Sequence, residues 1–398
     1  LWARSKTFRN KLVMKIVYYS QPFFADCDFP LIRELQRKGH DVRYYMTITS
    51  FNKRSSLVDI KNLYPHTGIY PASIYPELEI YKNDIDLKKL FIVNQRCKQK
   101  FHPLNLLLYI RLAFHFWKQR VDVVHFVVPP TLSMKTIYLL LRKKMVLTLH
   151  DPFTHSSRCN KRAEKDRLDA FKYIPKLILL NKNQVDDFID FYNVPKSHIF
   201  HSYLGMYDSI TNVKSVSPQL KGPFILFFGL ISAYKGIEFL MEAMIEVHKK
   251  HPNVNLVIAG GGKIYFDISP FQNLDYITII NHYIPTEQLA GLLKECLFAV
   301  CPYKDATQSG VVQTAFSLAV PMVVTNVGDL AHSVCDGETG LVIPPCDVDS
   351  LVKSMNRLIE NPQLLANMRK NIEYNWKTKM SWGPIADKYI ECYKASIS

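Results

Sequence analysis

A short polar loop in the second half of the chain has the composition of an anion-binding site. It runs from Asp305 to Gly310, after the apolar run FAVCPY and before a helical pattern over 311–318 that Pro321 closes. A strand, a small-residue loop and a helix present free N–H groups and partial positive charge at the helix N-terminus, where phosphates bind. An ordinary helix N-cap has the same pattern, and both interpretations stay open at this stage.

A lysine and a glycine mark another strand-to-helix turn. Lys235 and Gly236 follow the strand pattern PFILFF and Gly229, and they open a helical pattern. A further strand, VNLVIA, ends in the three glycines 260–262. Glycines let a ligand approach the backbone closely. The sequence has neither the spacing of a Walker loop nor a G-x-G-x-x-G fingerprint, so a nicotinamide or flavin site is not predicted.

The first half of the chain carries polar groups near its predicted strand ends. His150 ends the strand pattern KMVLTLH and is a candidate site residue. His125 and His201 also lie near strands, and these histidines could equally be core groups. Asp26 and Asp28 follow the first strand, where such a pair suits either a metal-binding D-x-D motif or helix capping; capping is favoured. No cluster of cysteine and histidine has zinc spacing, so no metal is predicted.

Charge is distributed unevenly along the 398 residues. Residues 1–200 contain 34 Lys and Arg against 17 Asp and Glu, whereas residues 201–398 contain 16 against 18. The net charge of +15 therefore resides in the first half. It predicts an anionic partner there: a membrane surface, a nucleic acid or an acidic substrate. No nucleic-acid-binding motif accompanies the charge, so nucleic-acid binding is not favoured.

A basic and aromatic stretch occupies residues 87–120. It contains eight basic and no acidic residues, interleaved with leucines and aromatic residues, and Pro103 is expected to divide it into two helices. A basic helix with a large apolar side suits the interface of an anionic bilayer. The alternative is a core-packing helix with a solvated basic face. The membrane interpretation is favoured because a solvated face usually mixes both signs of charge.

Cysteine usage and hydropathy predict a reduced, cytoplasmic protein. The eight cysteines form no C-x-x-C pair, and several lie in apolar runs as buried thiols do. No apolar run approaches the roughly 20 residues of a membrane-spanning helix. The basic N-terminus lacks a small-residue cleavage site, so no signal peptide is predicted. Met14 is the expected start, with residues 1–13 as an upstream extension.

These segments together resemble the family-4 glycosyltransferases of the GT-B fold. The residues that carry the resemblance are FFGLISAYKG, LVIAGGG, PYKDATQSGV and AVPMVVTNVGDLAHSVCDGETGLVIPP. It is strong over 223–345 and weaker in the first half. The resemblance implies an α/β protein of GT-B architecture, with two Rossmann-like, doubly wound domains facing each other across a cleft.

The expected organisation has four parts. They are an N-terminal acceptor-binding domain (14–205), a linker (206–222), a C-terminal nucleotide-sugar-binding domain (223–375) and a C-terminal helix (376–398) that packs back on the first domain. The linker is placed where Ser, Asn, Pro and Gly occur without clear periodicity.

Two positions depart from the motifs of that family. Leu230 stands where the turn before the lysine usually has an arginine. The E-x7-E pair is also altered: alignment on the helix-ending proline gives Ala306 and Thr314, and a shift by one residue gives Asp305 and Gln313. Asp305 is favoured as the substitute for the first glutamate, while the replacement of the second, ribose-holding glutamate stays open.

The resemblance implies a retaining glycosyltransferase that uses a UDP- or GDP-sugar and needs no cofactor or metal. The acceptor would be a saccharide or a polyprenyl-linked saccharide in cell-surface polysaccharide or glycoconjugate synthesis. The enzyme would lie at the cytoplasmic face of an anionic membrane. A non-catalytic nucleotide-sugar-binding partner of the same fold and a nucleotide-sugar 2-epimerase are the alternatives.

The implied site draws on both domains. The catalytic candidates are His150 and Asp305. The donor-binding candidates are Gly229, Lys235, Gly261, Tyr283, Ile284, Thr307, Gln308, Ser309, Gly310, Val311, Gln313 and Thr314, and the acceptor-binding candidates are Phe23, Phe24 and Asp26.

Overall fold

Two β-sheets, one in each half of the chain, form the framework of the protein. The computed structural model describes residues 13–55, 57–97, 99, 101–131, 134–141, 144–153, 161–306, 310–328 and 330–397. The first sheet contains β1 (Lys15–Ser20), β2 (Asp41–Ile48), β3 (Gly68–Pro71), β4 (Leu90–Asn94), β5 (Val123–Phe126), β6 (Met145–Leu149), β7 (Lys176–Leu179) and β8 (Ile199–His201).

The first sheet has the order β3-β4-β2-β1-β5-β6-β7-β8 and is parallel except for β3, which pairs antiparallel with β4. Side chains alternate between its two faces, as the period of a strand requires. In β1, Ile16 and Tyr18 enter the core on one face, while Val17 and Tyr19 enter the core on the other. Both faces are therefore covered, which explains the continuous apolar runs in the sequence.

Five helices accompany the first sheet: α1 (Ala25–Arg37), α2 (Pro103–Lys118), α3 (Lys135–Leu141), α4 (Lys161–Tyr173) and α5 (Val185–Tyr192). The expectation of two helices in the basic stretch is wrong. Its first part forms β4, and Pro103 begins the helix α2 at a position where a missing N–H costs nothing. Among the described residues, no helix is long and apolar enough to cross a bilayer.

The second sheet is entirely parallel. Its strands are β9 (Phe224–Phe228), β10 (Asn255–Ala259), β11 (Ile277–Ile280), β12 (Ala299–Cys301), β13 (Met322–Thr325) and β14 (Gly340–Ile343). Its helices are α6 (Ile237–Lys250), α7 (Thr286–Glu295), α8 (Gly310–Ser317), α9 (Leu330–Ser333), α10 (Val348–Ile359) and α11 (Pro362–Asn371). The strand order β11-β10-β9-β12-β13-β14 reverses direction at β9 and β12, where such sheets bind ligands.

The chain returns to the first sheet at its C-terminal end. A π-helical turn (Ile372–Trp376) and α12 (Lys377–Lys379) lead to α13 (Trp382–Ile397), whose buried residues belong to the core of the first sheet. The indole N–H of Trp382 donates to the carbonyl of Met206 over 2.7 Å. Met206 in turn donates its backbone N–H to the carbonyl of Met380. These bonds join the two segments that connect the domains.

Removing the Trp382 side chain should destabilise the whole protein. The ring is 6% exposed and lies against Gly205 as well as the Met206 carbonyl. We expect Trp382→Ala to lower the free energy of unfolding by about 3–5 kcal/mol. Urea unfolding measures this. Trp117→Ala, at a site 56% exposed, is the control and should change stability by less than about 0.5 kcal/mol. Equal effects of the two changes would contradict the packing role.

Candidate functional site

A cleft of about 710 Å³ lies at the carboxyl ends of the second sheet's central strands and is lined by residues of both halves. Ten of the candidate residues line it, namely Phe23, Asp26, Gly229, Lys235, Gly261, Tyr283, Ile284, Gly310, Val311 and Thr314. The structure thus brings together groups that lie almost 300 positions apart in the sequence. Their individual roles stay predictions.

Lys235 places a buried ammonium group in this cleft. The residue is 7% exposed, and its Nζ lies 3.6 Å from the ring centroid of Tyr303 and 4.9 Å from that of Tyr234. Among the described residues, no carboxylate forms an ion pair with it. Burial lowers the pKa of Lys235 from 10.5 to about 8. The aromatic faces hold the cation while leaving its N–H donors for an anionic ligand.

Glycines fix the turns around that lysine. Gly236 has a φ of 61°, and a Cβ there would lie 2.1 Å from the carbonyl oxygen of Pro302. A Cβ on Gly260 would lie 1.8 Å from the carbonyl oxygen of Gly229. Both contacts are with backbone and cannot be relieved by rotating a side chain. Only glycine therefore allows the ends of β9, β10 and β12 to come this close.

The start of α8 faces the cleft, as the polar loop predicts. Gly310, Val311 and Thr314 line the cleft, and the hydroxyl of Thr314 donates to the Gly310 carbonyl over 2.9 Å. Gln313 is buried and is not among the lining residues. Thr307, Gln308 and Ser309 lie outside the described residues. Of the two candidates for the second glutamate of the E-x7-E pair, Thr314 therefore lines the cleft and Gln313 does not.

Asp305, the favoured substitute for the first glutamate, does not line the cleft in this structure. Its side chain is exposed just before the loop. The preceding Lys304 forms an ion pair with Glu238 over 2.5 Å, which ties the end of β12 to α6. Within the described residues, Asp26 is the carboxylate that lines the cleft.

The carboxylate of Asp26 is contributed by the first helix, α1. The expectation that Asp26 and Asp28 cap this helix is wrong. Asp26 and Asp28 lie within the first turn of α1, whose N-cap is Phe24 without a side-chain hydrogen bond. Asp28 is fully buried and accepts hydrogen bonds from the hydroxyls of Tyr18 and Tyr44 at 2.9 and 2.8 Å. Burial raises the pKa of Asp28 to about 7. Asp28 is therefore a core group, and Asp26 is the one that reaches the cleft.

His150 lies behind the cleft wall and contacts Phe24. Their ring centroids are 4.4 Å apart, and neither residue is among those that line the cleft. Burial lowers the pKa of His150 to about 4, so the ring is neutral at pH 7. The competing His125 is fully buried and hydrogen bonds through its two ring nitrogens to Tyr393 and Thr148. His125 is thus a core group, which favours His150 of the two.

Several residues that line the cleft belong to no recognisable sequence motif. Ser55 comes from the loop after β2, and Tyr207 comes from the segment between the domains. The guanidinium of Arg54, next to Ser55, lies 4.8 Å from the ring centroid of Tyr283, a cleft residue of the other domain. A Cβ on Gly310 would lie 2.5 Å from the Tyr207 ring, so bulk there would strike this tyrosine before it reached a ligand.

A second, polar pocket of about 460 Å³ adjoins the same loop. Lys53, Lys61 and Arg96 line it together with Ser50, Asn62 and Leu63. None of the three cations forms an ion pair with a carboxylate within the described part of the chain. One loop therefore contributes Ser55 to the main cleft and Lys53 to a basic pocket. Among the described residues, no three His, Cys, Asp or Glu side chains lie together as a possible metal site.

Comparison with known proteins finds glycosyltransferases. Residues 208–375 match the family model of glycosyl transferases group 1. An uncharacterized glycosyltransferase of Methanocaldococcus jannaschii is 23% identical over 279 residues, which cover 65% of this chain and 71% of that protein. The alpha-D-kanosaminyltransferase of Streptomyces kanamyceticus is 25% identical over 176 residues, 43% of this chain. The chain spans only 45% of that second relative.

The fold comparison extends over both domains. The crystal structure of Anabaena HepE in complex with UDP superposes with a TM-score of 0.66 at 13% identity, covering 96% of this chain and all of that one. The expected GT-B architecture is confirmed. The sequence relatives and the matching family model are glycosyltransferases, as the expected enzyme class is. Assignment to family 4 stays a prediction.

The buried ammonium should be visible in the pH dependence of stability. Folding lowers the pKa of Lys235, so between about pH 8 and 10.5 the folded state binds fewer protons than the unfolded chain, and stability rises with pH across that window. We expect Lys235→Met to be more stable than the parent at pH 7, by on the order of 1–3 kcal/mol. The difference should shrink as the pH approaches 10.5.

Urea unfolding at pH 7 and pH 10 measures this difference. Lys304→Met is the matched control, because Lys304 has an ion-pair partner and its loss should lower stability by less than about 1 kcal/mol. A Lys235→Met variant less stable than the parent at pH 7 would show that the ammonium is compensated in the folded protein.

Proposed function

We propose that the protein is a retaining, metal-independent glycosyltransferase of the family-4 type that uses a UDP- or GDP-sugar. The carrying observation is the Lys235 ammonium, buried in the cleft and held by ring faces rather than by a carboxylate. A buried cation without an anionic partner is costly, and a donor diphosphate would supply that partner. Gly310 and Val311 at the start of α8 add backbone dipoles on the same cleft.

The chemistry follows from where negative charge develops. The bond between the anomeric carbon and the diphosphate oxygen breaks, and the acceptor hydroxyl attacks from the same face while its proton passes to the departing diphosphate. Lys235 and the N-terminus of α8 stabilise the charge on that leaving group. Tyr283 and Ile284 are proposed to flank the nucleobase, and Thr314 is proposed to replace the ribose-holding glutamate.

The first domain would hold the acceptor. Phe23 and Asp26 of the first domain line the same cleft as Lys235, and Asp26 is proposed to accept a hydrogen bond from the acceptor hydroxyl. Phe24 contacts His150, which does not line the cleft, so the neutral imidazole is proposed to position the reacting sugars indirectly, through Phe24. Asp305 is exposed, and we propose that it acts in catalysis only indirectly, by shaping the loop that begins at this residue.

The basic pocket favours an acceptor that carries phosphate. Lys53, Lys61 and Arg96 offer three cations beside the loop that also reaches the cleft through Ser55. A polyprenyl-linked saccharide carries a pyrophosphate and is presented at a membrane, which suits a first half rich in positive charge. The proposed pathway is synthesis of a cell-surface polysaccharide or glycoconjugate at the cytoplasmic face of an anionic membrane.

A non-catalytic nucleotide-sugar-binding partner is the second candidate. It is favoured by Leu230 and Thr314, which line the cleft where the family has a charged residue. The 2-epimerase alternative has less support, because such chemistry needs acid and base carboxylates and Asp26 is the carboxylate that lines the described cleft.

Removing the charge of Lys235 should separate these candidates. We expect Lys235→Ala to lower kcat/KM for the donor by about 100- to 1,000-fold, the usual loss when one preorganised charge donor is removed. Mass-spectrometric detection of donor hydrolysis and sugar transfer over a panel of UDP- and GDP-sugars measures it. A parent that binds nucleoside diphosphate in a calorimetric titration but never turns over a donor would support the non-catalytic partner. Unchanged kcat/KM in the folded variant would overturn the role of Lys235.

Neutralising the basic pocket should affect the acceptor and not the donor. We expect the double change Lys53→Gln and Lys61→Gln to raise KM for a polyprenyl-pyrophosphate saccharide by at least about 100-fold, because each of two charged hydrogen bonds is worth roughly 1.5–3 kcal/mol. Donor hydrolysis should stay at the parental rate. Lys82→Gln, a lysine of the same domain that pairs with Glu79, is the control. An equal KM for parent and double variant would remove the pocket from the acceptor site.

A further inference from the structure

Helix α2 presents an apolar outer face to solvent. Along this face the exposed fractions are 50% for Leu104, 44% for Leu107, 47% for Ile110, 59% for Phe114 and 56% for Trp117. Positions three or four apart lie on one side of a helix. These five side chains therefore form one continuous stripe, which we call the outer stripe.

The outer stripe is not required by the core of the protein. The opposite side of α2 buries Leu108, Leu112, Ala113 and Phe116 in the core on one face of the first sheet. A surface helix normally carries polar residues on the side away from the core. Helix α2 is apolar on both sides although only one of them is packed.

Neighbouring residues extend the outer stripe into a patch. Phe101, just before α2, is 52% exposed, and Leu139 and Leu140 of α3, which packs beside α2, are 60% and 50% exposed. The rings of Phe114 and Trp117 lie 5.4 Å apart and contact each other. Contiguous exposed apolar patches of this kind mark interaction sites rather than ordinary surface.

The charges on this face have a single sign. Arg111 and Lys118 are the charged residues of α2, and both are exposed between members of the outer stripe. The sequence has no acidic residue from 87 to 120. Cations placed among aromatic and aliphatic side chains match the phosphate layer and the acyl boundary of a bilayer. A second copy of this face would offer no anion to these cations, because the stretch has no acidic residue.

We propose that the outer stripe docks the protein on a bilayer rich in anionic phospholipid, with α2 lying in the plane of the interface. The 16 residues of α2 span about 24 Å at 1.5 Å per residue, and the packed inner side keeps the helix attached to the domain. The outer side chains enter the acyl boundary while Arg111 and Lys118 contact lipid phosphates. The docking itself does not depend on the proposed function. Only its purpose does, because docking would bring the enzyme to a lipid-linked acceptor.

Lysines of the basic stretch outside α2 take a smaller part in this surface. Lys89 pairs with Asp41 over 2.8 Å, and Lys88 precedes β4 rather than lying on α2. Lys98 and Lys100 lie outside the described residues. Docking is therefore assigned to the apolar stripe and its two cations.

Vesicle sedimentation of the full chain tests the proposal. With vesicles of 70% phosphatidylcholine and 30% phosphatidylglycerol, we expect the double change Phe114→Ser and Trp117→Ser to lower the partition coefficient at least about tenfold. Arg111→Gln with Lys118→Gln should lower it by a similar factor, about fivefold for each charge. The matched controls are Phe191→Ser and Tyr374→Ser, at aromatic residues 70% and 76% exposed elsewhere, which should bind like the parent.

Two further measurements separate the outcomes. Calorimetric titration with UDP and GDP should be unchanged in the stripe variant, so a failed donor assignment and a failed docking surface are distinguishable. Sedimentation velocity reports the oligomeric state. A parent that does not bind the vesicles, or a stripe variant that binds them as the parent does, overturns the proposal. A parental dimer that the same two changes convert to monomer also overturns it, because the stripe would then be a subunit interface.

Discussion

An ammonium group buried against the face of a tyrosine ring is the interaction on which the cleft depends. Lys235 lies 3.6 Å from the centroid of Tyr303, and its burial opposes the charged form. The ring quadrupole offsets only part of that cost, so the ammonium would still attract an anion. Gly236 makes this placement geometrically feasible, because any side chain there would strike the Pro302 carbonyl. A ligand of the proposed kind would therefore meet a cation whose position the fold already fixes.

The sequence was most informative where local chemistry alone decides the structure. Buried parallel strands must be apolar on both faces, and the runs that became β1 and β9 were recognisable for that reason. The basic stretch was misjudged because the short apolar run LFIVN, flanked by lysines, has no periodicity that separates a strand from a helical turn. The neighbouring β2 decided the matter by pairing with β4. That contact joins residues more than forty positions apart, and no local pattern records it.

The site was predictable only in part, for related reasons. Lys235 and Gly310 have distinctive neighbours in the sequence, and both line the cleft. The choice between Gln313 and Thr314 was open because one residue on a helix is a rotation of about 100°, which only packing fixes. Ser55 and Tyr207 reach the cleft through tertiary structure and have no local signature. Residues brought in by distant loops are the part of a site that single-sequence reasoning misses.

The chain passes between the two domains twice, and the two passages are bonded to each other through Met206, Met380 and Trp382. Two adjacent covalent connections define a line, and relative movement of the domains is easiest as rotation about that line. Sliding of one domain past the other would stretch one passage while compressing the other. Asp26 and Lys235, which line the cleft from the two domains, are thus joined through two passages of the chain rather than one.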